Sequence, residues 1–242
     1  MKQPILKLVF FGIVLPGLVS CNQSAKKDST GEKHIDNEWI SLFNVTDLSG
    51  WRSFHSDTIY GWAVEDSCLV ALGEGSDLSG DIISAEQYGD FELYFEWKIS
   101  PGGNSGVMFH VLEGDHKTTY ETGPEYQLLD DEGYPDPLED WQLAGANYAM
   151  HIAENKILKP AGEFNTSMII VDSSHVEHWL NGIKILEYEL WSEDWKKRVN
   201  EGKWKDYPDY GLAKVGHIAL QDHGDKTWFR NIKIRKTRLS FH

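Results

Sequence analysis

Two polar side chains in the middle of the chain could act chemically on a sugar or a similar polar substrate. Glu125 and Gln127 belong to the segment EYQLLD of residues 125–130. In a β-strand they point to the same face, whereas Asp130 reaches that face only if a bulge intervenes. Glycosidic chemistry commonly uses two facing carboxyl groups, and Gln127 is neutral. The segment therefore predicts a polar cluster that is not a complete acid pair.

Histidines supply the second set of candidates. His223 follows an apolar segment within the sequence QDHG of residues 221–224. A histidine at a strand end titrates near neutral pH and could act as a general base, a general acid or a metal ligand. The alternative is a turn histidine bonded to the backbone, and the same choice applies to His110 and His151. The sequence has no His or Cys spacing typical of zinc sites and no glycine-rich phosphate loop, so no metal ligand is predicted.

Aromatic residues are abundant, with ten Trp, ten Tyr and ten Phe. The flat face of an indole stacks against the apolar face of a pyranose, while neighbouring polar groups bind the hydroxyls. Core packing is the alternative for each ring. The composition favours carbohydrate binding without proving it.

Short alternating segments must position these side chains. The clearest is residues 91–99, where apolar residues occupy one face and polar or aromatic residues the other. Asn181-Gly182 predicts a tight hairpin because both residues tolerate positive φ. The fold class predicted is all-β, an antiparallel β-sandwich of jelly-roll type with one short inserted helix within Leu190–Lys205. Further strands are predicted over residues 106–112, 125–129, 167–171, 175–180, 183–188, 217–221 and 227–234.

The first residues resemble a bacterial lipoprotein signal. Lys2 and Lys7 precede an apolar stretch too short to span a bilayer, and residues 18–21 (LVSC) match a lipobox. We expect a signal peptide over residues 1–20, a lipidated Cys21 and a flexible tether to residue 38. One β-sandwich domain is expected over residues 39–242, in a protein anchored to the cell envelope through lipid. Cys68 then lacks a disulfide partner and is expected to be a buried apolar residue.

The charge balance limits the possible partners. The chain has 23 Lys and Arg against 38 Asp and Glu, giving a net charge of −15. Such a chain repels phosphate backbones, so a nucleic-acid partner is not expected.

The order of short motifs along the chain resembles the 3-keto-disaccharide hydrolase family. The resemblance rests on WISLFN (39–44), LSGW (48–51), DFEL (90–93), GNSGV (103–107), EYQLLD (125–130), NG (181–182), GHIALQDHG (216–224) and FRNI (229–232). It implies a concanavalin A-like lectin and glucanase fold whose concave face binds sugar. It also implies glucoside substrates whose C3 hydroxyl has been oxidised to a ketone by a partner dehydrogenase.

The resemblance implies a reaction that needs no second carboxylate. A C3 ketone acidifies the C2 hydrogen, so a base can remove it and the glycosidic oxygen can leave by elimination, with water adding afterwards. We expect Glu125 or His223 to act as the base. Candidate substrate ligands or enolate stabilisers are Asn104, Gln127, Asp130, Arg230, Glu96 and His110. No cofactor is predicted, and a divalent metal ion remains an open alternative for enolate stabilisation.

Two other functions fit the same residues. A lectin-like module would hold a glycan on the same concave face without cleaving it. A conventional glycosidase would need a second acid opposite Glu125, for which Glu96 is the candidate.

Overall fold

Alternating burial along the strands makes the chain fold as two packed antiparallel sheets. The computed structural model describes residues 38–73 and 80–237. The predicted signal peptide, Cys21 and the tether up to residue 37 lie outside the described residues. Among those described, no helix is long and apolar enough to cross a membrane.

Thirteen strands of the described residues form the two sheets. They are β1 (Ile40–Ser41), β2 (Trp51–Ser53), β3 (Trp62–Glu65), β4 (Cys68–Ala71), β5 (Ile82–Tyr88), β6 (Phe91–Ile99), β7 (Asn104–Val111), β8 (Glu125–Leu129), β9 (Asn165–Asp172), β10 (His175–Leu180), β11 (Ile183–Glu189), β12 (Gly216–Leu220) and β13 (Thr227–Lys236). Sheet A has eight strands in the order β11-β10-β9-β6-β13-β4-β3, with β1 also paired to β13, and sheet B has five in the order β2-β5-β12-β7-β8. The predicted antiparallel sandwich is confirmed.

The main core lies between the inner faces of the two sheets. On β6, Phe91, Leu93, Phe95, Trp97 and Ile99 are all nearly fully buried, as their spacing predicts. Each such side chain stabilises the fold by roughly 1.5–3 kcal/mol through burial. Cys68 is also buried and makes no disulfide.

The hairpin turn and the inserted helix predicted from the sequence are both present. Asn181 and Gly182 have φ values of 48° and 81°, which is the type I′ turn predicted between β10 and β11. The inserted helix α1 spans Glu193–Glu201 and is capped by Ser192, whose hydroxyl accepts from the Trp195 backbone N–H at 3.1 Å. A 3₁₀ turn, Lys203–Asp206, follows it. Helix α1 is therefore shorter than the predicted region, which also contains most of this turn.

Candidate active site

The polar cluster lies on the outer face of sheet B, away from the main core. Glu125 on β8 is paired with Met108 on β7, and Gln127 is paired with Gly106. The backbone N–H of Gln221, just past β12, donates to the Gly106 carbonyl at 2.9 Å. A small apolar cluster of Ile83, Met108, Val111 and Ala219 occupies the same face. The prediction that Glu125 and Gln127 share a face is confirmed.

Glycine at position 106 makes room for the Glu125 side chain. A Cβ atom there would lie 2.9 Å from both Cγ and Cδ of Glu125. Glu125 therefore extends across β7, above the backbone of Gly106. Gly106 itself is flanked by Gln127 on β8 and by Gln221 after β12.

The Glu125 carboxyl group is held in an environment that disfavours its charge. Glu125 is 4% exposed, and among the described residues no donor makes a hydrogen bond to its carboxyl oxygens. Burial raises the pKa of Glu125 to about 8, while Lys203 lowers this pKa and Asp81 raises it further. A carboxyl group with such a pKa changes protonation near neutral pH and is a stronger base than an ordinary carboxylate.

Two amide oxygens of the residues that flank Gly106 also lack partners. Gln127 donates from Nε2 to Asn104 Oδ1 at 3.3 Å, but its own Oε1 is buried without a hydrogen bond, and so is Oε1 of Gln221. A buried acceptor left without a donor costs about 1–3 kcal/mol. Hydroxyl groups of a ligand would satisfy both oxygens, so this arrangement is typical of a site built for a polyhydroxylated molecule.

A cavity of about 740 Å³ opens next to Gln221. Asp81 lies on its wall, accepting from the Asp222 backbone N–H at 3.0 Å and from the Thr119 hydroxyl. Burial raises the pKa of Asp81 to about 6. His223 is exposed and lines the same cavity. The cavity is large enough for a sugar ring and its substituent.

Aromatic side chains enclose the β8 side of the site. The rings of Trp204 and Tyr210 stack at 4.1 Å, and Tyr148 donates its backbone N–H to the Glu125 carbonyl at 3.1 Å. Lys203 Nζ lies 4.2 Å from the Tyr148 ring. Burial, and to a smaller extent the charges of Tyr188 and Glu125, raise the pKa of Tyr210. The turn after α1 thus helps to exclude water from Glu125.

The chain matches the model of a known family over almost all of its described residues. The family described as the 3-keto-alpha-glucoside-1,2-lyase-like domain matches residues 38–235. The chain belongs to this family. The 3-keto-disaccharide hydrolase of Bacteroides thetaiotaomicron is 30% identical, and the match covers 90% of this chain and 93% of that protein.

Solved structures give the same fold for this 3-keto-alpha-glucoside-1,2-lyase-like chain. A crystal structure from Parabacteroides distasonis ATCC 8503, provisionally described as a glycosyl hydrolase, is 44% identical with a TM-score of 0.78, and covers 83% of this chain and 94% of its own. The carbohydrate binding module CBM66 from Bacillus subtilis has a TM-score of 0.50 at 14% identity, covering 77% of this chain and 96% of its own. That second likeness concerns the fold alone.

Two residues expected near Glu125 lie on the other sheet of this lyase-like domain. Glu96 on β6 and Arg230 on β13 are neighbours in sheet A, and Arg230 Nε donates to Glu96 Oε2 at 2.7 Å. Their side chains point outward from sheet A, so the whole sandwich core separates them from Glu125. The expectation that they share its site is corrected, and Glu96 cannot be the second acid opposite Glu125.

His110 and Asp130 are also placed away from the Glu125 carboxyl group. His110 is 2% exposed, packs its ring against Phe91 and bonds through Nε2 to the Gly89 carbonyl at 2.9 Å. Asp130 accepts from the backbone N–H groups of Gly102 at 2.8 Å and Gly133 at 3.2 Å. These contacts are with the core and with neighbouring loops, which corrects the expectation that both line the site.

The structure adds two residues that the sequence did not single out as site members. Gln221 precedes His223 in the QDHG motif, and its position after an apolar strand was the available signal. Asp81 stands immediately before β5, a strand that was not predicted because its exposed residues are consecutive instead of alternating. Both become neighbours of Glu125 only through strand order in sheet B.

Potential metal ligands group elsewhere. Among the described residues, the one set of three such groups with ligand atoms within 4.8 Å is His175, Glu177 and Glu187, on β10 and β11 of sheet A. Lys184 bonds to both of these carboxylates. The set therefore lies apart from Glu125, and the ammonium group of Lys184 already neutralises part of its negative charge.

Proposed function

We propose that this chain cleaves glycosidic bonds of 3-keto-glucosides on the outer face of sheet B, with Glu125 as the base. Membership of the family and the name of the Bacteroides thetaiotaomicron relative support a glycoside-acting enzyme. The observation that carries the assignment is the buried Glu125 carboxyl group, which makes no hydrogen bond among the described residues and packs over Gly106, between two segments whose Gln127 and Gln221 amide oxygens also lack partners.

The reaction proceeds by elimination. Glu125 removes the proton from C2, which the C3 ketone acidifies, and the electron pair of that bond moves toward the ketone oxygen to form an enolate. The enolate electrons then form the C1–C2 double bond and expel the glycosidic oxygen from C1. Water adds across that double bond to complete net hydrolysis. A base with a pKa of about 8 suits this step, because its proton affinity approaches that of the carbon acid better than an ordinary carboxylate does.

Neighbouring groups complete the site in this proposal. Asn104, whose Oδ1 is held by Gln127, offers its amide N–H groups to the enolate oxygen. The Oε1 atoms of Gln127 and Gln221 accept hydrogen bonds from sugar hydroxyls. His223 on the cavity wall donates a proton to the departing oxygen.

The proposal extends to the source of the substrate and to the location of the enzyme. The chain's own site removes a proton and does not oxidise an alcohol, so a separate dehydrogenase must supply the C3 ketone. Lipidation of Cys21, predicted from the lipobox, would keep the enzyme at the cell envelope.

The decisive experiment compares a 3-keto-glucoside carrying a chromogenic leaving group with its unoxidised parent. We expect release from the keto compound alone, a loss of at least a hundredfold in Glu125→Gln, and a smaller loss in His223→Ala. Glu187→Gln is the matched control, because this exposed carboxylate lies on sheet A.

Three outcomes would contradict the proposal. Release from both compounds would indicate an ordinary glycosidase. Binding of glycans without release would indicate a lectin-like module. Full activity in Glu125→Gln would exclude this residue as the base.

A further inference from the structure

A second cleft lies on the outer face of sheet A, on the opposite side of the sandwich from Glu125. Its volume is about 380 Å³. Trp39 and Tyr94 line it together with polar side chains, and both rings are partly exposed. The polar lining residues are Ser41, Glu96, Asn231 and Lys233. The catalytic proposal uses none of these residues.

Lys233 places a positive charge between the two rings of this cleft. Its Nζ lies 4.7 Å from the centre of the Tyr94 ring and 5.1 Å from that of Trp39. Arg235 lies 4.8 Å from the same Trp39 ring. Such cation–π contacts hold the ammonium group in place but leave its N–H donors available to an anion.

The charges around the cleft favour an anionic ligand. Glu96 and Glu92 are ion-paired with Arg230 and Arg235, at 2.7 and 2.5 Å. Among the described residues, Lys233 has no carboxylate partner, and neither has Lys98, which points outward from the same strand as Glu96. Close to the cleft, four cationic side chains therefore accompany two carboxylates, a local excess of positive charge in a chain with a net charge of −15.

A bulge in β13 shapes the floor of the cleft. The pairing of β13 with β6 shifts between Arg230 and Lys233, and Asn231 takes a φ of 50°. Asn231 Nδ2 donates to Glu96 Oε1 at 2.7 Å, and the Tyr94 hydroxyl donates to the same oxygen at 3.2 Å. Glu96 thereby fixes both side chains and leaves the Asn231 Oδ1 as an acceptor for a ligand hydroxyl. Bulges commonly re-aim side chains in this way at functional positions.

We propose that this cleft is a second, non-catalytic carbohydrate site that binds an acidic sugar. The sugar ring packs against Trp39 and Tyr94, its carboxylate or sulfate group pairs with Lys233, and a hydroxyl donates to Asn231. Such a site would hold an acidic glycan while the opposite sheet remains open to its own substrate. The inference does not depend on the activity proposed above, because the two sites share no residue.

The shape of the site favours a glycan over a membrane surface. Aromatic and basic side chains that enter a lipid headgroup layer project from a surface, as at membrane interfaces. Here Trp39 and Tyr94 instead flank a concave cleft that also contains an amide and a hydroxyl group. These polar groups match the hydroxyls of a sugar.

The test measures binding of a tetramer of galacturonic acid and of its methyl-esterified, uncharged form by calorimetry at low and high salt. We expect the acid form to bind more tightly, and its affinity to fall as salt rises because the ion pair is screened. Lys233→Gln and Trp39→Ala should each weaken binding about tenfold, as expected when a hydrogen bond to a charged group or an aromatic contact is lost. Lys196→Gln, on the exposed face of α1, is the matched control and should bind normally.

Two further measurements keep the result interpretable. The melting temperature of each variant reports whether it folds, and Lys233→Arg should retain the preference for the acid form. Glu125→Gln should bind the tetramer as well as the parent protein does. The inference would be overturned by unchanged binding in a folded Lys233→Gln variant, by loss of binding in Glu125→Gln, or by binding to anionic phospholipid vesicles without binding to the tetramer.

Discussion

The side chain of Glu125 on β8 passes over the backbone of Gly106 on the neighbouring strand β7, at a distance that no Cβ atom would allow. This one relationship carries the carboxyl group away from its own strand and toward Gln221. The motifs GNSGV and EYQLLD, which contain these two residues, therefore meet at this contact. The glycine supplies the space that the buried side chain of Glu125 occupies.

Gly106→Ala should therefore damage activity more than stability. The new methyl group displaces the Glu125 carboxyl group, and we expect kcat to fall at least tenfold while overpacking lowers the free energy of unfolding by about 1–3 kcal/mol. Steady-state kinetics with the 3-keto-glucoside and urea unfolding would measure the two effects.

A double-mutant cycle tests whether the clash is the cause. In a Glu125→Ala background the contacting atoms of the side chain are absent, so Gly106→Ala should cost less stability there than in the parent protein. An equal cost in both backgrounds would show that Gly106 matters for another reason.

Glu125→Gln should stabilise the protein at neutral pH while abolishing activity. Burial raises the pKa of Glu125 from its ordinary value to about 8, so stability is present at low pH and is lost as the pH rises from about 4.5 through 8. Removing the ionisable group should recover on the order of 3 kcal/mol at pH 7, because folding no longer requires uptake of a proton, and nearly nothing at pH 4.5. Urea unfolding at the two pH values measures the difference, with Glu187→Gln as the control for an exposed carboxylate. A stability gain that does not depend on pH would contradict this origin.

Local patterns were sufficient to predict the strands that alternate strictly and the turns with special geometry. Residues 91–99 and the Asn181-Gly182 hairpin follow directly from side-chain periodicity and from tolerance of positive φ. The shared face of Glu125 and Gln127 follows from the same period of two. These features depend only on residues close together in sequence.

Sheet membership could not be predicted in that way. Arg230 and Glu96 have the residue types of a sugar site, but β6 and β13 pair in sheet A while β7 and β8 pair in sheet B. Strand order depends on contacts between distant segments, so spacing along the chain could not separate the two faces. The resemblance to a family predicted the fold but did not assign these side chains to one sheet or the other.

The pH dependence of the reaction should report Glu125 as a base. We expect kcat/KM for the 3-keto-glucoside to rise with pH and to level off above about 8, because only the ionised carboxylate accepts the C2 proton. A rate that instead falls through pH 8 would assign Glu125 as the acid.

Neighbouring charges should move this profile in opposite directions. Asp81 raises the pKa of Glu125, so Asp81→Asn should shift the profile to lower pH, whereas Lys203 lowers that pKa and Lys203→Gln should shift the profile to higher pH. Shifts of a few tenths of a pH unit up to about one unit are expected for single neighbouring charges. Shifts in the same direction for both variants would contradict the assignment.

Acid sensitivity should arise in the core beneath the site, at His178. This histidine is fully buried, and its Nδ1 donates to the Gly145 carbonyl at 2.9 Å while Nε2 accepts from the Tyr188 hydroxyl at 3.4 Å. The ring is therefore neutral, and burial lowers the pKa of His178 to about 4. As the pH falls from 6.5 toward 4, the unfolded chain gains a proton that the folded protein does not, so stability falls by on the order of 3 kcal/mol.

His178→Asn retains a donor to Gly145 but cannot become charged. Its free energy of unfolding should be lower than that of the parent protein at pH 7, because the smaller side chain packs less well, but should decrease less between pH 7 and pH 4.5. His55→Asn, at an exposed position, is the matched control for exchanging a histidine for an asparagine. If the parent and His178→Asn lose stability equally over this range, other groups cause the acid sensitivity, and the neutral, buried state of His178 does not contribute to it.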